Sequence, residues 1–260
     1  MKTLSQWATA MVSGLVVSAT ALANEDETGW HLGAAAGYGY EKSLFKFDDD
    51  DSHGFFLPII EYRGSWYSIS LFELSADIYS VEEGDWGLEI STSFSPSYGQ
   101  KRDENSSIFN GMDERKEASD ITLSVDVTTP IGLVGADIAK DIGSAHEGQT
   151  ASLYYQLPVY GSDNSALMLT TGIDYYSSDY VDYYYGVRTD EVNAQRQAYK
   201  GDRASSSYIG YIYQHQLTSH LSITHNLLYR SIPDEITDSP LTEKGEDTQL
   251  STQLILAYEF

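Results

Sequence analysis

An alternation of apolar and polar residues, repeated along most of the chain, is the feature that most constrains the fold. In residues 86–98, WGLEISTSFSPSY, one face carries Trp86, Leu88, Ile90 and Phe94, whereas small or charged side chains occupy the other face. A period of two residues indicates a β-strand with one apolar face. Such a strand turns that face either towards the interior of a soluble barrel or towards lipid in a membrane barrel.

The length of this segment and its terminal aromatic residues favour the membrane barrel. A tilted strand needs about 9–11 residues to cross a bilayer, which residues 86–98 supply. Trp86 and Tyr98 stand at the two ends of the segment, where membrane barrels carry their aromatic girdles. We therefore predict an all-β fold, a transmembrane antiparallel up-and-down β-barrel.

The strand count follows from the other segments that alternate in the same way. The stretch 65–79, SWYSISLFELSADIY, is ambiguous, because it reads either as one bent strand or as two strands joined by a tight turn. The prediction is about 12 strands, with ten as the fallback, and an even number places both chain ends in the periplasm. The predicted strands are 30–40, 54–63, 65–72, 75–80, 86–98, 118–128, 130–140, 148–158, 164–176, 205–217, 220–232 and 247–260.

The connections between these segments alternate in length, which separates an outer-membrane barrel from a soluble one. Outer-membrane barrels have short periplasmic turns and longer outside loops. Short connections are predicted around 63–65, 80–85, 128–131, 158–164 and 217–220, and mostly long, charged ones at 41–53, 99–117, 141–147, 177–204 and 232–246.

The first residues have the pattern of an export signal. Lys2 is followed by an apolar run, and Ala21 and Ala23 form a small-x-small cleavage signal before the polar NEDE. We expect residues 1–23 to be a signal peptide and residues 24–260 a single barrel domain. The expected location is the cell outer membrane of a Gram-negative bacterium, in contact with its lipid and lipopolysaccharide.

Composition excludes several classes of function. The formal charge is −24, which opposes binding to the phosphates of nucleic acid. The chain has no cysteine, so it holds no thiol nucleophile or zinc-thiolate site. The stretch HQLTSHLSITH, residues 215–225, lacks a metal-binding histidine motif, and no nucleophile motif surrounds the histidines. We predict that the protein is not an enzyme and has no catalytic residue, metal site or cofactor.

Acidic residues suggest two further features. Residues 48–53, DDDDSH, lack the glycine and glutamate positions of a folded calcium loop, so a solvated acidic tip is favoured over a divalent-cation site. The alternation places four candidate carboxylates inside the barrel, which would favour cations if the lumen conducts. These are Glu89, Asp126, Asp137 and Asp174.

Within the longest loop, residues 188–201, RTDEVNAQRQAYKG, are predicted to form a short helix that fills the bore, covers its rim or only stiffens the loop. Thr189 would cap this helix, and Asp190 and Glu191 would favour its positive end.

Three stretches carry a family resemblance: LPIIEYR at 57–63, YYYGVRTDEVNAQRQAY at 183–199 and DSPLTEKGEDTQLSTQLILAYEF at 238–260. They resemble the MipA/OmpV family of outer-membrane proteins. The most specific part of the resemblance is a loop motif made of Tyr185, Gly186, Val187 and Tyr199. The resemblance implies a scaffold that binds a murein-degrading lytic transglycosylase and a murein synthase.

The last strand also resembles a barrel-assembly signal. Leu256, Tyr258 and Phe260 match its alternating apolar residues and terminal aromatic, although Ile255 stands where a glycine is expected. A strand that simply faces lipid accounts for the same residues.

Three functions stay open at this point: a periplasmic scaffold, a small cation-preferring channel or uptake barrel, and a surface adhesin. Scaffolding would depend on the periplasmic face, conduction on the lumen and adhesion on the outside loops. The candidate partner surface of the scaffold is acidic and consists of Glu25, Asp26, Glu27, Glu82, Glu83 and Asp85.

Overall fold

The structure is a computed structural model that describes residues 28–47, 51–97, 106–116 and 118–260. The predicted cleavage signal of Ala21 and Ala23, the acidic tail residues Glu25, Asp26 and Glu27, and residues 48–50 of the DDDD stretch lie outside the described residues.

Twelve antiparallel strands form one closed barrel, in which successive strands pair and β1 pairs with β12. The prediction of a 12-stranded up-and-down barrel is confirmed, and the ten-strand fallback is set aside. The strands are β1 (Gly29–Glu41), β2 (Ser52–Arg63), β3 (Tyr67–Ser70), β4 (Leu74–Glu83), β5 (Trp86–Ser97), β6 (Ala118–Thr129), β7 (Gly132–Asp141), β8 (Gln149–Ser162), β9 (Ser165–Tyr176), β10 (Ala204–Gln216), β11 (Leu221–Ser231) and β12 (Thr248–Glu259).

The ambiguous stretch 65–79 forms two strands joined by a tight turn. The Ser70 N–H donates to the carbonyl oxygen of Glu73 at 2.8 Å, and the hydroxyl of Ser70 accepts from the N–H groups of Phe72 and Glu73. Ser70 thus provides hydrogen-bond partners for the backbone groups of the turn, in which the chain reverses its direction within three residues. β3 is the shortest strand of the barrel.

Side chains alternate between the lumen and the outside, as the sequence indicates. In β10 the side chains of Tyr208 and Ile212 are buried, whereas Ile209 is 59 % exposed. In β12 Leu254 and Leu256 face outwards. Ala257, which lies between the outward-facing Leu256 and Tyr258, is buried. Most large apolar side chains of the wall therefore lie on its outer surface, which is the arrangement of a barrel solvated by lipid.

Aromatic side chains border this apolar surface at both ends. At the end with the short turns they are Trp30, Tyr62, Trp66, Trp86, Tyr258 and Phe260, and at the other end Tyr38, Tyr175 and Tyr229. The rings of Trp30 and Tyr62 lie edge to face, with centroids 5.3 Å apart. These two belts fix the apolar band between them as the part that crosses the bilayer.

Small residues on the inner face of β1 allow the barrel to close. A Cβ atom on Gly33 would lie 2.2 Å from the carbonyl oxygen of Tyr258 in β12, and a Cβ atom on Gly37 would lie 2.4 Å from the ring of Phe55 in β2. Both distances are shorter than any normal contact, so the close approach of the neighbouring strands requires glycine at these positions.

Five short turns join the strands at one end, and longer loops join most of them at the other. The β4–β5 turn uses Gly84, whose φ is +63°, in the left-handed region that glycine adopts without strain. The long loops carry two helices, α1 (Ser178–Tyr185) and α2 (Asp234–Thr237). Neither of these helices is long and apolar enough to span a bilayer, and the described residues hold no other α-helix.

The predicted helix at 188–201 is wrong. The helix of this loop is α1, which lies before that segment and is capped by the hydroxyl of Ser177, an acceptor for the Tyr180 N–H. Residues 188–198 form turns instead, because Val187 and Tyr199 pair as an antiparallel bridge that brings the two ends of the segment together. The long-range pairing outweighs the local helix-start signal around Thr189.

A charge on the outer face tests the placement of the wall in lipid. We expect Leu254→Arg to destabilise the barrel by about 2–4 kcal/mol, because an arginine on the lipid face near the bilayer midplane loses its hydration. Gln253→Arg, on the luminal face of the same strand, should cost much less. The measurement is the free energy of unfolding from vesicles, with heat-dependent gel migration to verify folding. Equal effects of the two substitutions would contradict the assigned faces.

Candidate functional site

The long loops pack into a cap over the extracellular end of the barrel. Leu44, Val181 and Tyr184 form its first cluster together with α2 and the end of β11. Ile108 and Leu241, which are at most 1 % exposed, form the second. Residues from four loops thus share an apolar core, so the cap holds together by the burial that stabilises a small soluble domain.

A buried ion pair lies within this cap. The two terminal guanidinium nitrogens of Arg115, Nη1 and Nη2, donate to the two carboxylate oxygens of Glu191 at 2.9 and 3.0 Å. The side chains of Arg115 and Glu191 are 1 % and 3 % exposed. The N–H groups of Asp113 and Arg188 also donate to the Glu191 carboxylate. Because every oxygen of this carboxylate has partners, the pair joins the loop at 106–116 to the loop at 186–203.

The environment of Glu191 changes its affinity for protons. Burial alone would raise the pKa of Glu191, but the hydrogen bonds and positive charge of Arg115 and the backbone N–H groups lower it to about 2. The folded pKa therefore lies below the ordinary value of 4.5. The ionised pair contributes its full stability above the unfolded pKa and loses it as the pH falls from there towards the folded pKa.

Arg196 adds a second link between the same two loops. Its guanidinium donates to the backbone carbonyls of Ile108, Asn110 and Glu191, the last at 2.8 Å. The side chain is 2 % exposed. An arginine that satisfies three carbonyls fixes the course of both loops, of which the first contains a 3₁₀ helix, Ser107–Phe109.

The residues of the family loop motif lie together in this cap. The N–H of Val187 donates to the Tyr199 carbonyl at 2.8 Å, and the reverse bond is 3.0 Å long. The Tyr199 hydroxyl donates to the carbonyl of Glu235 at 2.8 Å, and Tyr185 stacks on Phe45. A Cβ atom on Gly186 would lie 2.1 Å from the Asp182 carbonyl oxygen. The structure therefore gives each motif residue a position in the packing of the cap.

A polar cavity of about 90 Å³ lies beneath the cap. It is lined by Glu41, Asp174, Tyr176, Arg230 and Gln249, together with apolar residues of the cap. The guanidinium of Arg230 donates to the Asp174 carboxylate and, at 2.7 Å, to the Tyr176 hydroxyl. Opposite charges in this small, partly open cavity provide donors and acceptors for a small polar solute or for water.

Three of the four predicted inward carboxylates are tied to luminal partners. Tyr154 donates to Asp126 at 2.8 Å, Ser152 donates to Asp174 at 2.8 Å, and Asp137 is hydrogen-bonded to Ser124. The fourth, Glu89, is opposite Asp126 in the β5–β6 ladder. The register places all four on the luminal side of their strands, and their role in conduction stays a prediction.

The sequence analysis did not include Arg230, which offsets part of this negative charge. The guanidinium of Arg230 also lies over the ring of Tyr208 in a cation–π contact, with its carbon 5.3 Å from the ring centroid. The alternation in β11 could have predicted that Arg230 faces the lumen, because it lies on the same face of the strand as the polar residues Ser222 and Thr224. The Arg115–Glu191 pair has no such signal, because its partners come from different loops far apart in the chain.

The acidic residues of the predicted partner surface that the structure describes lie on the β4–β5 hairpin. Glu82, Glu83 and Asp85 are exposed at its periplasmic tip. β4 pairs with β3 only from Leu74 to Ala76, so residues 77–83 of β4 extend beyond the end of this ladder. The hairpin also exposes Ile78, Tyr79, Val81 and Trp86. It therefore presents apolar and acidic side chains next to each other.

Two histidines, His215 and His225, take part in hydrogen bonds between neighbouring strands. His225 contacts the hydroxyls of Tyr211 and Thr252, at 2.9 and 3.1 Å, and His215 contacts the hydroxyl of Ser165 at 2.7 Å. In the part of the chain that the structure describes, no three candidate ligands converge on a metal site. That the protein is not an enzyme stays a prediction.

The exposed ion pair between Arg188 and Asp113 gives a matched control for the buried one. We expect Glu191→Gln to weaken the closed cap by about 3–5 kcal/mol, because it leaves Arg115 charged, buried and without its counter-charge. Asp113→Asn should cost less than about 1 kcal/mol, since water solvates that pair. Hydrogen exchange of the Val187 and Tyr199 amides measures both effects. Equal protection in the two variants would contradict the proposed importance of the buried pair.

The pH dependence of the same amides provides an independent check. Protection in the unmodified protein should fall as the pH is lowered from 4.5 towards 2, where Glu191 takes up its proton. Glu191→Gln should lack this component after correction for intrinsic exchange rates. A variant that retains the full pH dependence would show that other groups cause it.

Comparisons with known proteins agree with this architecture. The chain is 32 % identical to "Outer membrane protein Omp26La" of Vibrio anguillarum over 151 residues, which cover 58 % of this chain and 57 % of the relative. It is 28 % identical to "Outer membrane protein OmpV" of Vibrio cholerae serotype O1 over 214 residues, 82 % of this chain and 80 % of the relative. Identity to the "MltA-interacting protein" of Escherichia coli K12 is 25 % over 252 residues, 95 % and 96 % of the two chains.

The family model described as "MltA-interacting protein MipA" matches residues 32–260, which is nearly the whole barrel. The resemblance noted in the sequence is therefore confirmed. The chain belongs to the MipA family, and it is a β-barrel of the Gram-negative outer membrane.

Proposed function

We propose that this barrel is a scaffold that holds a murein-degrading lytic transglycosylase, together with a murein synthase, at the periplasmic face of the outer membrane. The β4–β5 hairpin is the observation that supports the proposal most directly. Its tip carries three exposed carboxylates, Glu82, Glu83 and Asp85, on the side of the membrane where a murein enzyme works. Membership of a family named for an interacting protein gives independent support.

The periplasmic face has few other surfaces to offer a partner. The remaining turns at that end are 64–66, 130–131, 163–164 and 217–220, each of four residues or fewer. A standard interface buries about 800 Å² on each partner. The hairpin would need help to reach that area, and the acidic tail residues Glu25, Asp26 and Glu27 are the nearest candidates in the sequence.

The charge of this surface sets the expected character of the contact. An acidic hairpin attracts a basic patch on the enzyme, and exposed charges attract over only about 8–10 Å at physiological salt. Binding should therefore weaken with rising ionic strength, mainly through slower association.

Reversal of the acidic charges tests the scaffold. We expect replacement of Glu82, Glu83 and Asp85 by lysine, combined with the same change at Glu25, Asp26 and Glu27, to abolish pull-down of a lytic transglycosylase. Opposite charges at the surface would then become like charges, which repel the enzyme. The readout is the amount of enzyme recovered with the folded barrel, whose integrity is verified by heat-dependent gel migration.

The matched control also reverses six exposed acidic residues, all in the outside loops: Glu114, Glu147, Asp190, Asp202, Glu243 and Asp247. This variant should retain binding, because its new charges lie on the other side of the membrane. Loss of binding only in this control would place the partner surface elsewhere and contradict the proposal.

A second candidate function, a gated path for small cations, draws on the luminal carboxylates. Asp126, Asp137 and Asp174 lie on β6, β7 and β9 around one side of the lumen. The packed cap covers the extracellular end, so such a path would open only when the cap moves. Adhesion through the outside loops stays a prediction that no described contact favours over the other two functions.

Conductance in planar bilayers tests the cation path. We expect the unmodified barrel to conduct little and Glu191→Gln to raise the conductance, because the weakened cap opens more often. In that opened variant, Asp126→Asn with Asp137→Asn should lower the preference for cations by removing fixed negative charge from the lumen. Thr122→Asn, a neutral change on the same luminal face, is the control. An opened barrel that remains electrically silent would refute this candidate.

A further inference from the structure

The wall of the barrel is incomplete on its extracellular half between β2 and β5. β3 pairs with β2 only at Glu61, Tyr62 and Arg63, and β4 begins at Leu74, opposite Phe94 of β5. Within the described residues, no strand pairs with positions 52–60 of β2 on that side, or with positions 95–97 of β5. We call this gap the notch.

The notch lies at the level of the bilayer. On the neighbouring strand β1, Trp30 is opposite Tyr62 and Tyr38 is opposite Gly54, and both β1 side chains belong to the aromatic belts. The open edge of β2 runs between these two levels. At about 3.3 Å per residue, positions 54–60 cover roughly 20 Å of strand. The open edge therefore lies beside lipid chains rather than above the membrane.

The backbone of this edge is adapted to the absence of a partner strand. The Gly64 N–H donates to Tyr67 in β3, and the Glu41 N–H donates to Asp51 at the start of the β1–β2 ladder. The backbone N–H and C=O groups alternate in direction along an antiparallel strand, so those of the even-numbered residues of β2 point towards the notch, while their side chains face lipid. Pro58 is one of them, and a proline has no N–H to leave unsatisfied there.

The lumen beside the notch is apolar, unlike the rest of the bore. Phe55, Leu57 and Ile59 face inwards from β2, and Ile255 faces inwards from β12. In contrast, β6 and β8 line the opposite side with hydroxyls, amides and carboxylates. These four apolar side chains are only partly buried. An apolar patch in a polar lumen requires apolar cover.

The notch joins this inner patch to the outer surface of the same strand. Phe56 and Ile60 face lipid from the two sides of Pro58, at 69 % and 41 % exposure. The inner patch is thus continuous with the lipid-facing surface across one strand edge. The bilayer therefore borders the patch at the notch and can supply further apolar cover.

We propose that the notch is a binding site for a lipid acyl chain, which enters sideways from the outer leaflet and lies against Phe55, Leu57, Ile59 and Ile255. The chain covers the apolar luminal patch and fills the space that β3 and β4 leave open. The site gives the lumen a lateral connection to the membrane that does not depend on the cap or on a periplasmic partner.

A nitroxide spin label tests this site, and the absence of native cysteine makes labelling specific. Leu57→Cys carries the label in the patch, Phe56→Cys is the lipid-facing control and Thr122→Cys is the luminal control. In dioleoylphosphatidylcholine vesicles, collisions with oxygen report lipid and collisions with a water-soluble nickel complex report water. We expect the ratio of oxygen to nickel collisions at position 57 to approach that at position 56 and to exceed that at position 122 several-fold.

Two outcomes would overturn the proposal. A label at position 57 that behaves like position 122 would show that the notch holds water or is closed to lipid. A label that collides with neither reagent would show that protein fills the space. Ile59→Cys replaces Leu57→Cys if the first variant does not insert. Cross-linking by a phosphatidylcholine with a diazirine in its acyl chain should also label positions 55–59 and 255 above the background at position 122.

Discussion

The backbone N–H and C=O groups of a chain within a bilayer have no water as a hydrogen-bond partner, and the architecture of this protein, apart from the notch, depends on that constraint. The pairing of β1 with β12 satisfies it for the first and last strands, from the Gly33–Glu259 pair to the Glu41–Ser251 pair. Without this seam both strands would present open edges to lipid. The glycines on the inner face of β1 follow from it, because the strands approach closely where the sheet closes.

The period of two residues allowed the wall to be predicted from the sequence, and long-range contacts explain what was missed. Lipid-facing residues such as Leu254 and Ile209 must be apolar whatever their neighbours are, so each strand carries its own signal. The inward phase allows small, polar and charged residues alike, and the ion pair of Arg230 with Asp174 depends on the register of three strands. The predicted helix at 188–201 failed for a related reason, since the Val187–Tyr199 pairing determines that segment.

The wall and the cap are adapted to different surroundings, the wall to lipid and the cap to water. The wall displays its leucines outwards and buries hydroxyls and carboxylates, whereas the cap buries Ile108, Val181 and Leu241 as a water-soluble domain would. Arg115 and Glu191 belong to this second environment, where a paired charge is held away from water. The family loop motif lies in the cap, so the part of the sequence with the most specific resemblance is the part that closes the bore.

The cap combines the first and the last outside loops. The N–H of Lys46 donates to the carbonyl of Leu241 at 2.9 Å, and Phe45 pairs with Thr242. These residues are almost 200 positions apart, and only the meeting of β1 with β12 brings them together. Contacts with such long sequence separation form late, because the entropy of closing the chain must first be overcome. The first and last outside loops therefore meet only after β1 and β12 have paired. Their contact depends on a completed wall, so this part of the cap reports whether the barrel has closed.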